Sequence, residues 1–75
     1  MDLKEAAAIA KLRVSELLAP DAPQQVRLEQ FLYDDHLGVW SLTIGFALPG
    51  RPEARSYKIV RVSQADKSVL SVADR

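Results

Sequence analysis

Gly38-Val39-Trp40-Ser41-Leu42-Thr43-Ile44-Gly45-Phe46-Ala47-Leu48 alternates large apolar and small side chains from Trp40 onward. Trp40, Leu42, Ile44, Phe46 and Leu48 fall on one side, and Ser41, Thr43, Gly45 and Ala47 on the other. A period of two is what a β-strand with one buried face requires. Five large apolar side chains on one face must be covered, and the rest of the chain has to supply the cover.

The stretch from Asp2 to about Ala19 is the helix that can do so. Asp2 caps it, and Glu5 three residues on completes a capping-box-like pattern. Its interior is rich in alanine and leucine, both strong helix formers. At 100° per residue, Leu3, Ala6, Ala7, Ala10, Val14, Leu17 and Leu18 share one stripe, and Ile9 and Leu12 lie on the far side. Three alanines in the stripe let the helix approach closely whatever it covers. Pro20 and Pro23 end it.

N-terminal to the central strand, Val26–Tyr33 reads as another strand. Its alternation puts Val26, Leu28 and Leu32 on one face and Arg27, Glu29, Phe31 and Tyr33 on the other. Asp34-Asp35-His36 supplies turn residues between the two strands. On the C-terminal side, Pro49-Gly50-Arg51-Pro52-Glu53 reads as a loop. Arg55–Val62 forms a third strand and Val69–Ala73 a fourth, joined by a turn around Ala65-Asp66-Lys67. In the third strand Val60 and Val62 are expected to face the helix, with Lys58 at the rim, because the other parity buries Arg61. A bulge near Tyr57 is the other way to resolve that conflict. Short connections favour antiparallel neighbours. The expected fold is therefore α+β: residues 1–75 form one domain, with the N-terminal helix on one face of a four-stranded antiparallel meander.

This order of elements resembles the PepSY-like domains, small bacterial modules with a cystatin-like helix-on-sheet arrangement. The matching residues are Ala6-Ala7-Ala8-Ile9-Ala10, Trp40-Ser41-Leu42-Thr43-Ile44, and the closing stretch from Tyr57-Lys58-Ile59-Val60 through Ala65-Asp66-Lys67-Ser68-Val69-Leu70. The resemblance covers most of the chain and rests on hydrophobic patterns and a turn. It implies a non-catalytic binding or regulatory module, and some members of the family are proposed to restrain proteases. Two positions depart from the family pattern. Ser63 stands where aspartate is usual, and Lys67 where the turn glycine is usual, which implies a different turn or mild strain.

Ten basic and ten acidic residues balance in a chain of 75. A neutral balance argues against a strong non-specific grip on nucleic acid or on an anionic membrane, and no membrane association is expected. The apolar runs, of which Ala6–Ala10 is typical, are too short to span a bilayer. Asp2-Leu3-Lys4-Glu5 has no basic segment followed by an apolar one, so a cytoplasmic location is expected. Without cysteine there is neither a disulfide framework nor a thiolate metal site. His36 is the sole histidine, and neither a metal site nor a cofactor motif is expected.

Asp34, Asp35 and His36 are the one cluster suited to acid–base or cation chemistry, but adjacent strand residues diverge and aspartate suits turns. An enzyme is not expected. The sheet face away from the helix is the better candidate surface. It is expected to carry Arg27, Phe31 and Tyr33, then Ser41 and Thr43, then Arg55, Tyr57, Ile59 and Arg61, with Val69 on the far strand. Arginine interleaved with aromatics suits a protein interface, including a homodimer. The alternative is a single-stranded nucleic-acid platform, against which the small residues of the central strand and the zero net charge both count. Ile9 and Leu12 form a second, smaller candidate contact, and the loop around Arg51 a third.

Overall fold

A computed structural model describes the backbone of residues 1–75 and every side chain except that of Pro52. The element order is α1 (Leu3–Leu17), a 3-10 turn (Ala19–Asp21), β1 (Gln24–Asp34), β2 (Val39–Leu48), β3 (Arg51–Ser63) and β4 (Val69–Asp74). The strands form one antiparallel sheet in the order β1-β2-β3-β4, so β1 and β4 are its edges. This is the α+β helix-on-meander arrangement expected from the sequence.

Asp2 caps α1, its Oδ1 accepting from the Glu5 amide at 2.9 Å. Ala6, Ala10 and Val14 are fully buried against Leu42, Ile44, Phe46, Val60 and Val62, and these eight form the core. Two helix positions differ from the angular stripe. Leu17 is 53 % exposed, whereas Ile9 packs against the core. Four strands spaced ~4.8 Å apart are wider than a helix ~10 Å across, so the twisted sheet reaches around to Ile9 on a side that a narrow stripe leaves out. With Ile9 inside, the pair Ile9 and Leu12 is no longer an outer patch.

Val60 and Val62 face the helix, and Lys58 stands at the rim with an ion pair to Asp74. The third strand thus has the parity expected of it, with no bulge at Tyr57. The loop expected over Pro49–Glu53 is tightened to a two-residue turn, Pro49-Gly50: Arg51 pairs with Leu48, and a register shift follows before Arg55 pairs with Ala47. Proline followed by glycine at φ 87° is what a type II turn asks for, and this local geometry prevailed over the loop-like composition. The turn after β3 holds Lys67 at φ 62°, the left-handed conformation that glycine adopts freely. The lysine here is therefore held under mild strain. Asp66 Oδ1 accepts from the Ser68 hydroxyl at 2.7 Å and its amide at 3.1 Å, and these bonds hold its carboxyl below the usual value.

Three ties set the direction of the helix. Gln64, after β3, accepts from Trp40 Nε1 at 2.7 Å and donates to the Met1 carbonyl at 3.1 Å. Lys67 reaches Glu5 at 3.0 Å. At the other end, Leu18 is followed within six residues by the start of β1. α1 therefore runs obliquely, from the β3–β4 turn to the beginning of β1. Fifteen helical residues span about 22 Å, while the molecule is 41 Å long. The far end of β1 lies outside its cover. No helix is long and apolar enough to cross a membrane among the described residues.

Candidate interaction surface

Five of the expected surface residues lie on the sheet face away from the helix. Arg27 and Tyr57 flank Gly45, Arg55 flanks Ala47, Ile59 flanks Thr43 and Arg61 flanks Ser41. Val69 instead pairs with Val62 and packs against the core, and Phe31 and Tyr33 do not join the five either. They pair with Leu42 and Trp40, whose side chains are on the helix side. The cause is a register shift between Leu28 and Gln30, where one extra residue enters β1 at Glu29. One inserted residue inverts the side-chain phase of everything beyond it. Leu32, expected toward the helix, now points to the other face and is 66 % exposed.

The charged groups of the face away from the helix are mostly paired within it, although Arg55 Nε is buried without a partner among the described residues. Arg55 donates through Nη2 to the Gln25 carbonyl at 3.0 Å and to Glu29 Oε1 at 3.4 Å. Arg27 Nε stands 3.6 Å from the same Glu29 oxygen. A Cβ on Gly45 would lie 2.8 Å from Glu29 Cγ, so the missing side chain leaves room for this cluster. Gln25 adopts φ 52° at a second register shift in β1, between Gln24 and Arg27, which turns its carbonyl toward Arg55. Tyr57 is covered by the Arg75 guanidinium, 4.9 Å from its ring centroid. Thr43 and Ala47, nominally on an open face, are 7 % and 1 % exposed. Asp34 Oδ1 accepts from the amides of His36 and Leu37, both at 3.0 Å, so this carboxylate shapes the turn.

Leu12, Leu17 and Leu70 are exposed singly, and the exposed apolar side chains that cluster lie at the far end of β1. Phe31 is 55 % and Tyr33 38 % exposed, and Leu37 in the following turn is 63 % exposed. Trp40 lies beside them, its ring centroid 4.8 Å from that of Tyr33 and 6.5 Å from that of Phe31. Tilted rings at these separations suit the aromatic quadrupole, so the three make one coherent patch.

The two halves of the β1 edge differ. Gln24–Glu29 contains both register shifts and the charges of Arg27 and Glu29, features that discourage further strand pairing. Gln30–Asp34 pairs regularly with β2 and carries charge only at Asp34. The opposite edge, β4, is short, shifts register at Leu70 and ends in Asp74. No protein-family model, curated protein or solved structure matches this chain. Its surfaces must be read from its own residues.

The apolar phase of β1 carried a signal of the missed patch. Val26 and Leu28 are two apart, as are Phe31 and Tyr33, but the step between the pairs is three. An odd step inside an alternating strand marks an inserted residue.

Proposed function

We propose that this chain is a non-catalytic protein-binding module that captures its partner along the far half of the β1 edge. The observation that carries the reading is the Gln30–Asp34 segment: regular, bare of protective charge until its last residue, flanked by exposed Phe31, Leu32 and Tyr33, and left uncovered by the helix. An unpaired strand edge offers backbone donors and acceptors, and alternating side chains beside it supply specificity. Contiguous exposed apolar area on a small protein supports the same reading. The resemblance to PepSY-like domains points to the same class of activity.

The nucleic-acid alternative is weaker on two counts. The charges next to the aromatic patch are Asp34 and Asp35, which repel phosphate. Arg27 and Arg55, which would contact phosphate, are engaged by Glu29.

A displayed random-peptide library tests the proposal. The wild-type chain should enrich extended sequences with alternating apolar residues, and Phe31→Lys with Tyr33→Lys should abolish the enrichment while the fold, followed by circular dichroism, persists. Enrichment that survives this pair but is lost with Tyr57→Ser and Ile59→Ser would return the working surface to the other sheet face.

A further inference from the structure

We infer that the occupant of the Gln30–Asp34 edge is a second copy of the same edge, paired antiparallel about Leu32 into one continuous eight-stranded sheet. This rests on the reading of that edge as the binding surface and goes further by naming what binds there. The bulge at Glu29 closes the regular segment on one side and the turn beginning at Asp35 on the other. Five residues remain, and their midpoint is Leu32.

A two-fold pair about that midpoint is complementary to itself. Phe31 of one copy stands opposite Tyr33 of the other, and residues opposite each other share a face in an antiparallel pair. Phe31 and Tyr33 already share the helix side with Trp40, so the pairing would join two aromatic patches into one. On the other face Leu32 meets Leu32. At each end Gln30 stands opposite Asp34, an amide donor against a carboxylate. Asp34 uses Oδ1 in its turn, and its Oδ2 makes no hydrogen bond among the described residues. No like charges face each other within the five residues.

The area sets the expected strength. Phe31, Leu32, Tyr33 and Leu37 together expose on the order of 400 Å² per copy, so the pair buries at most about 800 Å² in total, below the usual specific interface and in the range of weak, transient contacts. A weak, concentration-dependent dimer is expected.

The chain has no cysteine, so introduced thiols report the register without interference. Opposed residues bring their Cα atoms to about 4.5–5.5 Å, within reach of a disulfide. Under mild oxidation Leu32→Cys should cross-link to itself. Gln30→Cys and Asp34→Cys should each remain largely uncross-linked alone, yet form a mixed disulfide when combined. Ala8→Cys, at an exposed helix position, sets the rate of random collision. Sedimentation of the wild type should show the average mass rising toward twice the chain mass between about 10 µM and about 1 mM, and Leu32→Lys should remove the rise.

A single-chain mass throughout, with Leu32→Cys no faster than Ala8→Cys, would overturn the second copy. A dimer whose cross-links ignore this register would overturn the pairing. If self-pairing fails but peptide enrichment still depends on Phe31 and Tyr33, the edge binds a foreign strand. If both fail, the edge is not the binding surface.

Discussion

Lys67 shows how one residue can hold a conformation it does not favour. At φ 62° its Cβ crowds the neighbouring backbone, and a non-glycine residue in this region costs about 1 kcal/mol or more. It is kept there by the closed turn, in which its amide donates to the Ser63 carbonyl at 2.9 Å. Its ammonium also pairs with Glu5, but both side chains are about half exposed, and such pairs contribute little. Relief of strain should therefore exceed the lost ion pair. Lys67→Gly is expected to stabilise the fold by about 0.5–1 kcal/mol, read from urea unfolding midpoints at unchanged slope. Lys67→Ala keeps the strain and loses the pair, and should be neutral or slightly destabilising. If glycine lowers the midpoint, the pair with Glu5 outweighs the backbone term.

Among the elements, β1 is the one whose irregularities have consequences elsewhere. Its two register shifts bring Gln25 and Glu29 onto Arg55, and the bulge at Glu29 turns Phe31 and Tyr33 to the helix side. Gly45 of β2 is the partner this arrangement needs, because a Cβ there would meet Glu29 Cγ at 2.8 Å and Arg55 Nη2 at 3.0 Å. Alanine normally gains from replacing glycine in a strand, so a loss would reveal the clash. Gly45→Ala should destabilise by about 1–2 kcal/mol in the wild type, by displacing Glu29 from Arg55. With Glu29→Ala already present, the same change should cost much less, and the double-mutant cycle measures the coupling. Additive effects would show that Gly45 is not matched to Glu29.

For the whole molecule, the controlling fact is size. A 75-residue domain has a stability on the order of 4–11 kcal/mol. Its eight-residue core leaves little redundancy, and Phe46, 3 % exposed, is the largest side chain in it. Phe46→Ala should cost about 3–5 kcal/mol, enough to populate the unfolded state, and a thermal melt with a change below about 1 kcal/mol would put Phe46 outside the core. The helix adds little area beyond that core and is secured at its N-terminal end by Gln64 and Lys67. Because it lies obliquely over a sheet longer than itself, one corner stays bare. The bare corner is where the aromatic patch lies.

The helix, the four strands, their antiparallel order and the core face of the central strand can all be read from the residues. Each follows from a local period: 3.6 residues for the alanine stripe, and two for Trp40 through Leu48. The sequence left β3 two solutions, a parity that spares Arg61 or a bulge near Tyr57, and the unshifted pairing with β2 selects the first. The face of Phe31 and Tyr33 was not read, because a strict period of two carried through Glu29 puts them on the wrong side. Only pairing with β2 decides where the extra residue is absorbed. Exposure was equally out of reach. Thr43 and Ala47 are polar or small and look open, yet they are buried. Leu32 is apolar and alternates with Leu28 as a core residue would, yet it is bare. Both outcomes depend on where the helix and the neighbouring strands come to lie, and contacts between distant segments leave no mark in a local period.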